Sequence, residues 1–349
     1  MLSAYLYSVL VTILISVLII IIFRKLDIVD KPDGIRKIHK GEIAYGGGIV
    51  LFFSFSIILY LGFPEFSLGV HGENPALSVI WFVSSIILFL GLIDDIKPIQ
   101  PSIRIIIQVI ASWLVIALTD VYLRDLGDLF DLGLIKLGGL GIPVTIFMVV
   151  GICNAFNMLD GMDGLVSFSL LIPSTFIAVL AYMNNSYGLI FIASIVLSTF
   201  LLFNLGLFGK KWKIFLGDSG SLWLGFLTAW FLVCFAENES NFSIYPATAL
   251  WFVLIPLVDA LSTFLNRMVN KRSIFDGDRS HLHFILLDAG LKKWQVLCIF
   301  ILINIFCSGL GFYFLQNSTS EYYQFYGFLT IWFFYHLLIK LPMSIEKKV

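Results

Sequence analysis

The chain has 349 residues, 59% of them hydrophobic and only 13% charged, with a formal net charge of −1. A soluble domain carries roughly 25% charged residues, and surface-to-volume scaling leaves too little interior to hide this much apolar surface, so a soluble fold is excluded. The near-zero charge also excludes a basic nucleic-acid binder and an acidic disordered tail.

Apolar runs of about 17–25 residues predict spanning helices, because about 20 residues at 1.5 Å rise cross the hydrocarbon. Eleven are read in order, at 4–23, 46–63, 78–93, 102–119, 142–157, 165–183, 187–205, 219–236, 246–266, 295–315 and 324–341. The first lacks a basic start and a small-residue cleavage site, and Phe23-Arg24-Lys25 stops it, so an anchor is expected rather than a signal peptide. The third and fifth are the shortest and run straight into polar segments. Eleven crossings divide the loops into two sets. All but Arg124 and Lys136 of the 22 Lys and Arg fall in one set, an asymmetry that places the N-terminus in the periplasm and the C-terminus in the cytoplasm. The expectation is an all-α, polytopic membrane protein with one transmembrane domain over residues 1–349. Its four Cys stand singly, which supports neither a disulfide framework nor a zinc site.

Acidic residues at a membrane boundary are costly and need a reason. Four polar clusters lie on the expected cytoplasmic side. The first, Gly91-Leu-Ile-Asp94-Asp95, ends the third span. Adjacent carboxylates repel unless a cation or proton is shared, which suits a general base or a metal site as well as it suits a solvated helix end. Arg104 and Gln108 follow one turn apart on one helix face. The second cluster runs Asn154-Ala-Phe-Asn157-Met-Leu-Asp160-Gly-Met-Asp163-Gly-Leu165. If helical, its polar residues line one flank; Gly161 and Gly164 equally permit a broken helix, which is tolerated where it lines a cavity. In the third, Lys210-Lys211-Trp212-Lys213 precedes Gly217-Asp218-Ser219-Gly220-Ser221. Asp218 reads either as a helix N-cap or as a carboxylate holding Mg²⁺ against a phosphate. The fourth, Asp278-Arg279-Ser-His281-Leu-His283, reads as an anion-binding loop. Asp259, inside the ninth span, has no role of its own in the sequence beyond pairing with a basic residue of that loop. No GxxxxGK[ST] motif is present, so metal and side chains would have to handle any diphosphate.

Together GLIDD (91–95), NAFNMLDGMDGL (154–165), FLGDSGS (215–221) and DRSHLH (278–283) resemble the polyprenyl-phosphate N-acetylhexosamine-1-phosphate transferases, as does the first inner loop, 30–48. The likeness runs nearly the whole chain in order, and the motif forms are most similar to the branch that loads undecaprenyl phosphate with GlcNAc-1-phosphate. The resemblance implies that Asp94 and Asp95 are the essential acidic pair, one of them a base towards the lipid phosphate. It implies that Asp218 binds Mg²⁺, or Mn²⁺ in its place, with Asn157 at the metal and diphosphate. Asp160 and Asp163 would be site residues, the latter near the uracil, and Arg104 would face the phosphates. Arg279, His281 and His283 would close over the sugar and diphosphate, with His281 catalytic. Two positions depart from that branch: Phe284 stands where its loop has a further His, and Ala44-Tyr45 stand where its first loop has Pro before the glycines.

The expected reaction transfers GlcNAc-1-phosphate from UDP-GlcNAc to undecaprenyl phosphate at the inner face of the bacterial cytoplasmic membrane, giving UMP and the lipid diphosphate-sugar that starts a surface polysaccharide. The expected partners are those two substrates and membrane lipid, with a homodimer allowed and no nucleic acid. The rivals are a relative using a UDP-muramoyl peptide and, from another class, a transporter of anions or lipid-linked sugars. Transporters place ionisable residues near the bilayer midplane, whereas here only Asp259 lies deep.

Overall fold

A computed structural model describes residues 2–31, 41–60, 75–183, 189–237, 243–273 and 280–346. Its helices are α1 (Leu2–Lys25), α2 (Gly47–Tyr60), α3 (Pro75–Ile96), α4 (Pro101–Thr119), α5 (Gly141–Leu159), α6 (Leu165–Met183) and α7 (Leu189–Asn204). They continue as α8 (Gly217–Ala236), α9 (Pro246–Phe252), α10 (Leu254–Val269), α11 (Leu282–Asp288), α12 (Lys293–Gln316) and α13 (Glu321–Glu346). Over the described residues each of the eleven apolar segments falls on a helix, the ninth on the pair α9–α10. Among the described residues seven helices are long and apolar enough to cross a membrane, and α9–α10 makes an eighth if the pair is one span; α2 and α7 are apolar but shorter.

The third and fifth spans are longer than their apolar runs. The helix of α3 continues to Ile96, so Asp94 and Asp95 lie on its last turn rather than beyond it. The ninth differs most, because α9 and α10 meet at 88°. Pro256 has no N–H to give the carbonyl of Phe252 four residues back, which removes the hydrogen bond that would carry α9 into α10.

Helix α8 is the centre of the bundle. It packs on α3, α5 and α2, and 72% of its apolar window is buried, against 28–56% in the other six spans. Glycine sets the closeness of that packing. A Cβ on Gly91 of α3 would stand 2.5 Å from the Asp218 carbonyl and Ser219 Cα, and one on Gly48 of α2 would stand 2.5 Å from the Gly220 nitrogen. Deeper in the bundle the same three helices are joined by aromatic rings. Trp81 stacks on Phe52 at 5.2 Å and meets Trp223 edge-on at 5.6 Å. The Trp223 indole N–H donates to Ser84 Oγ at 3.0 Å, satisfying a fully buried donor.

Two short strands, β1 (Val29–Asp30) and β2 (Ile43–Ala44), pair antiparallel with Val29 opposite Ala44. Ala44 also bridges Ile214 in parallel. The Phe215 N–H donates to the Ala44 carbonyl and the Gly47 N–H to the Phe215 carbonyl, both at 2.9 Å. The chain entering α2 is thereby laced to the chain entering α8, and both helices start from one fixed platform.

Candidate active site

The two acids of GLIDD diverge because neighbours on a helix are about 100° apart. Asp94, buried, turns to α4: its Oδ2 accepts from Arg104 Nη1 at 2.5 Å and its Oδ1 from the Ile99 N–H at 2.6 Å. Asp95 turns to α8, where Oδ1 accepts from the Asp218 N–H at 2.7 Å and Oδ2 from the Ser219 N–H at 3.1 Å. The first N–H groups of a helix have no intrahelical partner, so the end of α3 caps the start of α8. Gly217 makes this possible: its φ is +73°, and a Cβ there would stand 2.6 Å from Asp95 Oδ2.

Asn154 and Asn157 lie on α5, which ends at Leu159, so the polar row is helical only in its first half. Asn157 Nδ2 donates to Asp218 Oδ1 at 2.7 Å and to Ser221 Oγ at 3.0 Å. One turn back, Asn154 Nδ2 donates to Gln108 Oε1 at 2.6 Å, tying α5 to the face of α4 that carries Arg104. Asp160 and Asp163 occupy the turn that follows, where Gly164 takes φ +80°. Buried Asn204 holds this turn in place, accepting from the Gly164 N–H at 2.7 Å and donating to the Ile214 carbonyl at 3.0 Å. Asp163 pairs with Lys213 at 2.6 Å. Burial, then the negative charges of Asp218, Asp95 and Asp163, push the Asp160 carboxyl well above the usual carboxylate range.

The His-x-His segment reaches this turn through Gly161, whose missing Cβ leaves the space that His283 Nε2 occupies. The rings of His281 and His283 stack at 5.8 Å and 11°. His281 Nδ1 lies 2.7 Å from Asp259 Oδ2, so the buried acid of the ninth span does pair with the loop. The other oxygen, Asp259 Oδ1, accepts from the Tyr335 hydroxyl at 2.6 Å and the Leu282 N–H at 3.2 Å. Arg279 lies outside the described residues. At the departure from the family's first loop, Ala44 serves in β2 and Tyr45 donates to Asp30 Oδ1 at 2.5 Å.

Asp94, Asp95, Arg104, Asn157 and Asp218 are thus joined by direct hydrogen bonds or ion pairs, Arg104 Nη1 also standing 3.9 Å from Asp218 Oδ2. Asp160 is coupled by charge to the same group, His283 meets it at the 160–164 turn, and His281 stacks on His283. Five acidic side chains, Asp94, Asp95, Asp160, Asp163 and Asp218, face two cations, Arg104 and Lys213, an imbalance that suits a divalent cation. Among the described residues no three His, Cys, Asp or Glu side chains stand close enough to hold a metal between them. The Asp218 carboxylate with the neighbouring Asn157 side chain offers oxygen donors of the kind Mg²⁺ takes, which binds one or two carboxylates and completes its shell with water and substrate phosphate.

Asn204 and Tyr335 carry no signal in the sequence. Asn204 ends an apolar run, and Tyr335 sits in Trp332-Phe-Phe-Tyr335-His336, which reads as an aromatic interfacial belt.

Comparison with known proteins bears on the same segments. The profile for glycosyl transferase family 4 matches residues 77–236, which hold GLIDD, the 154–165 segment and Asp218. The undecaprenyl-phosphate alpha-N-acetylglucosaminyl 1-phosphate transferase of Haemophilus influenzae is 32% identical over 337 residues, covering 94% of this chain and 92% of that protein. The proteins of the same name from Yersinia pestis and Escherichia coli K12 are 32% and 29% identical over 284 and 332 residues, covering 80% and 93% of this chain and 74% and 87% of theirs. The chain belongs to this family. Its seven or eight apolar helices among the described residues make it a multi-pass membrane protein, and the motif likeness read from the sequence holds. The matched region ends at Ala236, so the Asp259–His281–Tyr335 cluster lies beyond the family profile.

Proposed function

We propose that this protein transfers GlcNAc-1-phosphate from UDP-GlcNAc to undecaprenyl phosphate, the reaction named for its relatives. One observation carries the reading: three separate motifs converge on Asp218, with Asp95 on its backbone N–H, Asn157 on its carboxylate and Arg104 beside it. An anionic donor and an anionic acceptor must meet for this chemistry, and phosphoryl transfer depends on charge neutralisation and in-line positioning.

In the proposed step an oxygen of the lipid phosphate attacks the sugar-proximal phosphorus of UDP-GlcNAc. The bond from that phosphorus to the bridging oxygen breaks, and UMP leaves with the electron pair. A phosphate monoester has its second pKa near 6, so most of the acceptor is already dianionic at neutral pH and demands little of a base. Arg104 is the exchangeable partner: an incoming phosphate competes for its guanidinium and releases Asp94, which then orients the acceptor. Asp95 braces Asp218 from behind. A bound Mg²⁺, held by Asp218 and Asn157 Oδ1, would neutralise the diphosphate. Asp160 and the Asp163–Lys213 pair flank the nucleotide, and His281, His283 and Arg279 cover the sugar and diphosphate.

The charge asymmetry of the sequence supports eleven crossings, a periplasmic N-terminus and a site on the cytoplasmic face of the inner membrane, where a soluble nucleotide sugar meets a membrane-bound lipid. The test is purified protein with undecaprenyl phosphate, Mg²⁺ and a panel of donors. UMP release with UDP-GlcNAc and not with a UDP-muramoyl peptide is the expected result. Absence of UMP, or an Asp218→Ala variant with an unchanged rate, would sink the assignment.

A further inference from the structure

Asp259 is an acid in the middle of an apolar helix, 1% exposed, and nothing in the transfer chemistry above uses it. A buried carboxylate is costly unless its lone pairs are met by donors. Asp259 meets three, drawn from two distant places in the chain: the His281 ring and the adjoining Leu282 N–H, and the Tyr335 hydroxyl. A carboxylate only accepts, so the proton of the 2.7 Å contact sits on His281 Nδ1. That fixes both the tautomer and the plane of the ring, and leaves Nε2 as the nitrogen that meets substrate. The neighbouring His283 ring lies nearly parallel, seated in the space left by Gly161 beside Asp160. The bend at Val253 directs α10 away from α9 at 88°, and so carries Asp259 to the His pair.

We propose that Asp259 and Tyr335 are positioning residues for transfer: the α10 carboxylate locks His281 through Nδ1, and the α13 hydroxyl locks the carboxylate. The proposal rests on the reading of His281 as part of the transfer site. A purely structural role predicts something different, a loss of fold or stability that takes no account of whether His281 is present.

The experiment is a double-mutant cycle on the full-length protein in detergent, with long-incubation radiolabelled assays of kcat and of KM for UDP-GlcNAc. Asp259→Asn keeps the shape and removes the charge. It is expected to lower kcat about 30-fold or more with KM changed less than about threefold, the signature of an interaction made in the transition state. Tyr335→Phe is expected to lose about three- to tenfold in kcat, since the carboxylate keeps its other donors. Combined with His281→Ala, either substitution is expected to cost no more than about twofold beyond His281→Ala alone, because residues acting as a unit are non-additive. A wild-type kcat in Asp259→Asn, or its full loss imposed again on His281→Ala, overturns the positioning role. Should Asp259→Asn fail to fold, the Tyr335→Phe cycle decides by the same rule. His281→Ala at the wild-type rate overturns the role of His281 in transfer and the proposal with it, whereas additivity overturns the proposal alone.

Discussion

Asp95 accepts a 2.7 Å hydrogen bond from the backbone N–H of Asp218, so the last turn of one central helix caps the first turn of another. A carboxylate at a helix N-terminus also gains from the helix dipole. Asp95→Asn keeps one acceptor and loses the charge, and Asp95→Ala loses both acceptors. Capping losses are typically about 1 kcal/mol and reach about 2, so the expected order of unfolding temperature in detergent is wild type, Asn, Ala. Equal unfolding temperatures for all three would remove the capping role.

The close approach of α3 to α8 predicts an unusual cost for a single methyl group. In Gly91→Ala the new Cβ meets the main chain of Asp218 and Ser219, which cannot rotate away as a side chain would. Overpacking of this kind costs about 1–3 kcal/mol. Activity should fall further than stability, by about 100-fold or more, since a displacement near 1 Å suffices for that. UMP release and thermal unfolding measured on the same preparation check the pair of effects.

Gly161→Ala probes the meeting of the 160–164 turn with the His loop. Its Cβ would collide with His283 Nε2. The expected outcome is a protein with near-normal expression whose transfer rate falls at least about tenfold, as first contacts of the catalytic constellation are lost. Gly161→Ala combined with His283→Ala should regain part of the rate lost to the alanine, because the smaller side chain vacates the contested space. A double variant slower than both singles would count against the contact.

Asp160 offers a prediction in which stability and activity move in opposite directions. Its carboxyl is raised by burial and by the surrounding acids. A carboxyl raised in the folded state opposes folding wherever the unfolded chain would ionise it, and this penalty grows with pH until the folded value is passed. Asp160→Asn should therefore raise the unfolding temperature of chelator-treated protein at pH 8 by about 2 °C or more, with the gain shrinking towards pH 5. Transfer activity should fall in the same variant.

Metal removal gives the fifth expectation. EDTA should abolish UMP release and added Mg²⁺ should restore it, with Asp218→Asn requiring about tenfold more Mg²⁺ for half-maximal rate. An EDTA-insensitive rate would refute the metal assignment to Asp218 and Asn157.

Helix positions and the acidic motifs are legible in the sequence because their signals are local. An apolar run announces a span, and several Asp at its end announce a site. What stays hidden depends on partners far along the chain. Asp259 and Tyr335 are 76 residues apart, and an aromatic in an aromatic-rich segment gives no hint that its hydroxyl is committed. Asn204 is hidden in the same way, since its partners Gly164 and Ile214 are joined only by the fold. Proline shows the limit within one helix type. Pro173 sits inside an unbroken α6 while Pro256 marks the 88° break before α10. A helix loses the same backbone bond in both cases, and only the packing around it decides whether the chain turns.

The glycines at 48 and 91 have a consequence for tolerance to mutation. Where main chains touch, no rotamer change can absorb an added atom, so this junction behaves as a rigid keel rather than a pliable core. Sequence drift on the lipid-facing flanks of α3, at Phe82, Ile86, Phe89 and Ile93, leaves the keel untouched. A saturation scan of α3 would then read as a sharp periodic alternation, permissive at those four positions and closed at Gly91.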